Sequence, residues 1–440
     1  MYPSEVCPVI VYPPECSVSE PCTPGMLNGA LRAVKCINRA LPLLHASQGC
    51  QESLYFDGCF SPVKPLFCLK EMTDEPFIPS TIINEQDVIF GAEENLEAAL
   101  YHLCKKSSPD LIVILTSDAS EIIGDDVVDV VHSVRGSVQS QIINAEAGSL
   151  NGDHVQGFRA VIEAVVDQLM IPQEKTEYSV NLVGLAGDEV SSWFDMKELK
   201  GLLSAIGITT HAVLLSASTL PDIACAPQAS LNVVVNEELG LGPACLMEER
   251  FGTPFVMSTP PYGIEGTTLW LMDIASHFGL EERAQKIIEK TTRHALDIVR
   301  KYERDINFSL DTGVSADPTP AAGFSRLLEE LGCTITVLSV RRAPDSHIRD
   351  LLCACDAEWK TILMGPDYYQ YKKILRETED LDVIFGGFID TLAASDYGIP
   401  VIEIFYPLMR MVEWDGPLMG FTGAQNMAKK LAKYCMQQWI

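Results

Sequence analysis

The feature that most constrains this chain is an alternation of two patterns. Short β-branched apolar runs recur along it, with longer segments of helical periodicity between them. Candidate strands are Leu111–Leu115, Gln141–Asn144, Ser179–Leu185, His211–Leu215, Leu231–Val235, Ile306–Leu310, Thr334–Val340, Thr361–Met364, Asp382–Phe385 and Val401–Phe405. Most are continuous apolar runs, the pattern of strands buried on both faces of a parallel sheet. Between them, Glu93–Cys104 puts Leu96, Ala99, Leu100 and Leu103 on one helix face. Val155–Leu169 repeats Val155, Phe158, Ile162, Val165 and Leu169 at helical spacing. Asp125 and Asp126 precede Val127–Val134, where acidic side chains favour a helix start. Such alternation predicts an α/β fold of doubly wound (Rossmann-like) parallel-sheet domains. For 440 residues we expect three, at 1–173, 174–304 and 305–440. One break precedes the strand that runs into Gly184–Asp188, and the other follows the charged helix Glu281–Arg304.

Charge narrows the function. The chain carries 60 acidic against 32 basic side chains, a formal net charge of −28. Such a surface repels phosphate backbones, so no nucleic-acid partner is expected, while charge-steered protein partners are. No apolar run is long enough to span a membrane, and the N-terminal segment has no basic region followed by an unbroken apolar one. A cytoplasmic protein without a membrane partner is the expectation. No G-x-x-x-x-G-K-[ST] loop occurs, so ATP hydrolysis is not expected of this chain.

Fourteen cysteines are many for such a chain. Disulfides are rare in the cytoplasm, which leaves metal ligation or buried thiols. Seven fall early: Cys7, Cys16, Cys22, Cys36, Cys50, Cys59 and Cys68. None forms a C-x-x-C pair, so any cluster must gather ligands from distant segments or from two chains.

Ligands of open parallel sheets bind at the carboxyl ends of strands. Four loops come under that rule, those with Cys22, Cys50, Asp118 and Ser149, the last two directly after candidate strands. Thiolate, carboxylate and alkoxide can all ligate iron. Each also has a plain alternative: a buried thiol for either cysteine, and a helix cap for Asp118 or Ser149. His45 and His154 read as structural rather than as ligands.

Resemblance adds to this. Cys22-Thr23-Pro24 with Gly29-Ala30 is similar to the Cys-x-Pro and Gly-Ala helix of nitrogenase component 1 β-type subunits. His45-Ala46-Ser47-Gln48-Gly49-Cys50 resembles their His-Gly-Ser-Gln-Gly-Cys. Phe90-Gly91-Ala92 through Leu96 resembles their Phe-Gly-Gly/Ala helix start. Thr116-Ser117-Asp118 through Glu121-Ile122-Ile123-Gly124-Asp125-Asp126 resembles Thr-Thr-Cys-x-x-Glu-Ile-Ile-Gly-Asp-Asp. Ser149 through Gly152, His154, Val155 and Gly157-Phe158 resembles Ser-Phe-x-Gly-Ser-His-Val-x-Gly-aromatic. Gly398–Pro400, Tyr406-Pro407 and Gly420–Ala424 continue the likeness to the C-terminal helix.

The resemblance implies the nitrogenase component 1 fold and a β-type role. In that family β-chain cysteines join α-chain cysteines around an interfacial Fe–S cluster, and a β-chain serine can add an oxygen ligand on oxidation. Carried over, Cys22, Cys50 and Ser149 are cluster ligands, and Asp118 stands where the third cysteine would be. The cofactor implied is a P-cluster-like 8Fe-7S cluster, or a 4Fe-4S variant, shared with an α-type subunit in an α2β2 assembly. Electrons would come from an ATP-dependent Fe protein and pass to a large Fe–S cofactor in the partner chain. Asp118 and the compact length favour a divergent reductase, of which the methylthio-alkane reductases, which cleave C–S bonds, fit best. A nitrogenase β chain and a cofactor-assembly scaffold subunit are the alternatives.

Overall fold

The structure, a computed structural model, describes residues 9–11, 23–60, 78–305, 308–342, 347–353, 360–409 and 414–438. Its strands are β1 (Val9–Val11), β2 (Ala40–His45), β3 (Leu111–Thr116), β4 (Gln141–Ala145), β5 (Thr176–Val183), β6 (Thr209–Val213), β7 (Ala229–Val234), β8 (Phe255–Met257), β9 (Asp311–Ala316), β10 (Thr334–Val340), β11 (Thr361–Met364), β12 (Val383–Gly386) and β13 (Val401–Glu403). They form three sheets, in the orders β2-β3-β4, β6-β5-β7-β8 and β1-β11-β10-β9-β12-β13. Every strand pairing in them is parallel. The expected α/β fold of three parallel-sheet domains is what the chain adopts. Segment 1–173 contributes one strand, β1, to the third sheet.

The first sheet shows why its strands read as unbroken apolar runs. Leu111, Val113, Leu115, Ile143 and Leu44 face one core, shared with helices Met26–Lys35 and His154–Leu169. Leu41, Leu43, Ile112, Ile114 and Ile142 face another, shared with helices Glu93–Ser107 and Val127–Arg135. Alternate side chains point to opposite faces, and both faces are covered. The expected helices at 93–104, 155–169 and 281–304 are present, as Glu93–Ser107, His154–Leu169 and Glu281–Asp305.

Two expectations are corrected. Of the strand expected at Ile306–Leu310, Ile306 and Asn307 lie outside the described residues and residues 308–310 are not strand; the strand here is β9, Asp311–Ala316. Its residues are small and partly polar because it is crowded in mid-sheet: a Cβ on Gly313 would lie 3.0 Å from Ile384. The segment before Cys50 is no loop; Ala40–His45 is a fully buried strand. Pro42 is tolerated there because β2 is an edge strand.

Helices Met26–Lys35 and His154–Leu169 cross at backbone contact. A Cβ on Gly29 would sit 1.7 Å from the His154 carbonyl oxygen, and one on Gly157 1.8 Å from that of Met26. Only glycine fits at either crossing point. The contact fixes the chain entering the first helix: the His154 amide donates to Pro24 O at 3.0 Å, and Gly25 bridges Asp153.

Candidate functional site

The carboxyl ends of β2, β3 and β4 lie side by side, with His45 opposite Thr116 and Leu115 opposite Ala145. Cys50 follows β2 on helix Gln48–Phe60. Asp118 follows β3 as the first residue of helix Asp118–Ile123, and Ser149 follows β4 in a 3-10 turn. The strand register therefore gathers three of the four expected donors at one sheet end. Cys22 lies outside the described residues, as do Cys68 and the side chain of Cys59. The chain re-enters beside the site, since a Cβ on Gly25 would lie 3.4 Å from Ser149 Oγ.

Hydrogen bonds hold the loops together. Leu150 N donates to Asp118 Oδ1 at 2.9 Å. Glu121 Oε1 accepts from Thr116 Oγ1 at 2.7 Å and from Gly148 N at 2.9 Å, and its Oε2 accepts from Asn151 Nδ2 at 3.0 Å. Gly148 is buried under these carboxylates; a Cβ there would fall 3.0 Å from Asp118 Oδ1 and 2.4 Å from Glu121 Oε2. Cys50 is a half-buried free thiol, with Ser47 Oγ 3.6 Å from its sulfur.

His45 is fully buried and satisfied on both nitrogens, by Thr81 Oγ1 at 3.0 Å and Asp125 Oδ2 at 2.9 Å. Burial lowers its pKa, and the Asp125 carboxylate opposes that. Asp125 also accepts from Ala92 N at 2.9 Å, so it ties two loops rather than capping a helix, while Asp126 caps helix Val127–Arg135. His154 is buried as well, with Nε2 3.1 Å from Asp317 Oδ2.

The donor set suits iron, which accepts sulfur and oxygen ligands. It is a half-site. Among the described residues no three His, Cys, Asp or Glu side chains are placed to hold a metal ion by themselves. Ser149 is exposed and Cys50 and Asp118 are half-exposed, so the donors face outward.

Residues 26–436 match the family of nitrogenase component 1 type oxidoreductases. The chain belongs to this family. The molybdenum-iron protein β chain of Methanococcus maripaludis is 23% identical, over 93% of this chain and 93% of its own length. The vanadium-iron protein β chain of Trichormus variabilis nitrogenase is 24% identical, over 92% and 91%. The nitrogenase iron-molybdenum cofactor biosynthesis protein NifE of Rippkaea orientalis is 25% identical, over 92% and 83%. A solved structure of nitrogenase Cp1 at pH 6.5 superposes with a TM-score of 0.81 at 18% identity, covering 97% of this chain and 95% of its own.

On this component 1 chain exposed apolar side chains lie beside two of the donors, Asp118 and Ser149. Phe90 is 85% exposed, Leu150 79%, Ile122 75% and Ile89 74%. Leu150 follows Ser149, Ile122 shares a helix with Asp118, and helix Glu85–Phe90 packs on that helix. Clustered exposed apolar side chains mark an interaction surface. Sequence reasoning missed these side chains and Glu121. The Ile122-Ile123 pair inside a polar stretch was a readable signal for the first. Glu121 gave no local signal, because the loop residues it bonds lie after β4.

Proposed function

We propose that the chain is a β-type subunit of a cytoplasmic nitrogenase-like reductase, paired with an α-type subunit as α2β2 and served by an ATP-dependent Fe protein. The observation that carries this is the half-site itself: sulfur and oxygen donors at three adjacent strand ends, open to a second chain and with exposed apolar residues beside two of them. Cys50, Asp118 and Ser149, with Cys22, would supply this chain's share of the ligands. An Fe–S cluster held there would accept and release single electrons between the Fe protein and a cofactor in the partner. The chain's own residues fix the loops, and the exposed apolar side chains beside them would exclude water once a partner covers them. His45 keeps the first loop in place through Asp125.

Two finer readings compete. A nitrogenase β chain is favoured by full-length alignment with molybdenum-iron β chains. Methylthio-alkane reduction rests on Asp118 in place of a cysteine and on the compact length. None of the relatives named above is described by that activity.

The test is anaerobic co-purification with the partner, with iron and electron acceptance measured for the parent and for Cys50→Ala. The variant is expected to lose most of its iron and its electron acceptance together. Parental iron in Cys50→Ala would refute the ligand assignment. Assays with dinitrogen and with small thioethers then separate the two substrate readings.

A further inference from the structure

We infer that Glu121 is the positioning residue of this site: it fixes the loop that carries Ser149, and so sets where the seryl oxygen stands. The inference rests on the reading of Ser149 as a ligand, and deepens it. Ser149 is exposed, and nothing in the described structure bonds its side chain. Its position depends on its neighbours. Residue 148 is pinned through its amide by Glu121 Oε1 at 2.9 Å, and residue 151 through its side chain by Glu121 Oε2 at 3.0 Å. Residue 150 is pinned by Asp118 Oδ1 at 2.9 Å.

These two clamps differ in kind. Asp118 holds Leu150 with a carboxylate that is itself a candidate ligand. A metal held by Asp118 would draw on the same carboxylate that accepts from the Leu150 amide. Glu121 also accepts from Thr116 Oγ1 at 2.7 Å, the hydroxyl to which Ala147 N donates at 3.3 Å. Its carboxylate is thus spent on three donors from β3 and from the loop after β4. It stays committed whatever Asp118 does. Charge-assisted bonds of this kind are stronger than neutral ones. The close fit of Gly148 against the carboxylate leaves the loop no room to shift inward.

The experiment uses the full complex with its partner, comparing the parent with E121A, E121Q, S149A and E121A/S149A. Amide exchange is read on the peptide spanning 146–152, and the spectrum of the oxidised cluster on the same samples. E121A is expected to exchange Gly148 about tenfold faster or more. E121Q keeps a carbonyl acceptor and should restore most of the protection. With iron bound, E121A should take on the oxidised-state spectrum of S149A, and the double variant should match S149A. Parental exchange at Gly148 in E121A would overturn the inference, and so would additive spectral changes in the double variant. If E121A does not assemble, E121D carries the test: its carboxylate, on a side chain one carbon shorter, is expected to speed exchange at Gly148, and parental exchange in E121D overturns the inference. A parent complex without iron defeats the proposed function instead, and the exchange measurement still decides whether Glu121 holds the loop.

Discussion

Two groups of ionisable side chains sit at strand ends in this molecule, and they are built in opposite ways. At the end of the first sheet, Cys50, Asp118, Glu121 and Ser149 come from one domain and lie at its surface, with exposed Ile122 and Leu150 beside Asp118 and Ser149 in the chain. At the junction of the three sheets, the partners come from all three and close on one another. Arg32, on the first helix, holds Asp188 of the second domain at 2.6 and 2.9 Å and stacks 3.6 Å from the ring of Tyr406 in the third. Arg341 spans the third sheet, donating to Ser315 O at 3.0 Å, to Asp390 Oδ2 at 3.1 Å and to the Tyr406 carbonyl. His154 reaches Asp317 across the same seam. The junction joins residues of all three sheets within this chain, while the groups at the sheet end lie at its surface.

The largest effect is expected at the junction. Arg32→Met leaves the largely buried Asp188 carboxylate without its cation. Breaking such a pair costs about 3–5 kcal/mol, which denaturant unfolding of the variant should show. A loss below about 1 kcal/mol would place the junction with surface ion pairs and erase the contrast.

Proton linkage sharpens the comparison next. Burial pushes the Glu189 carboxyl up to about 8, against the pull of Arg32, and Glu238 up to about 7, against the Thr319 hydrogen bond. Between the ordinary carboxylate value and these raised ones, the folded chain holds protons that the unfolded chain has released. Stability should therefore fall as pH rises from about 5 to 8, by about 1.4 kcal/mol per pH unit for one such group. Glu189→Gln should flatten the dependence of unfolding free energy on pH between about 5.5 and 7.5, by roughly that slope. An unchanged slope would remove Glu189 from the account. Asp317 works in the other direction. Burial favours its neutral form, but His154, Arg341 and Arg32 outweigh that and hold its pKa well below the usual range. Its contribution is lost in acid.

The smallest effect on stability is expected at the exposed apolar side chains. Ile122→Ser and Leu150→Ser should change the unfolding free energy of the chain by no more than about 0.5 kcal/mol. Both should reduce co-purification with the α-type partner. Equal recovery of the partner would show that these side chains are not on the covered face.

Much of the fold could be read from the residues. The runs at 111–115 and 141–144 are strands because both faces of the first sheet are covered, which leaves no polar alternation to obscure them. Helix His154–Leu169 was legible through its apolar spacing, and Gly157 within it through the motif. β9 was not, because Asp-Thr-Gly-Val-Ser-Ala is chosen by crowding in mid-sheet and not by β-propensity. β2 was not, because its proline reads as a breaker unless the strand is known to lie at an edge. At the candidate site, Cys50, Asp118 and Ser149 could be singled out one by one as candidates, and the register of β2, β3 and β4 brings their segments to one sheet end. Glu121 escaped because its role lies in hydrogen bonds to a loop about thirty residues away. The junction escaped for the same reason on a larger scale: Arg32, Asp188 and Tyr406 are joined only by tertiary structure.

The topology of the third sheet also sets an order in time. β1 pairs Val9 with Thr361, so a strand made early in synthesis waits for one made near the end. At the usual pace of translation that interval is on the order of tens of seconds. Meanwhile the first sheet has all of its strands by Ala145 and the second of the helices that cover one of its faces by Leu169. A chain cut short before Thr361 is expected to leave Val9–Val11 open to protease, while Leu111–Thr116 is already protected. The ribosome thus delivers the sheet that carries the candidate donors well before the one that receives the N-terminal strand.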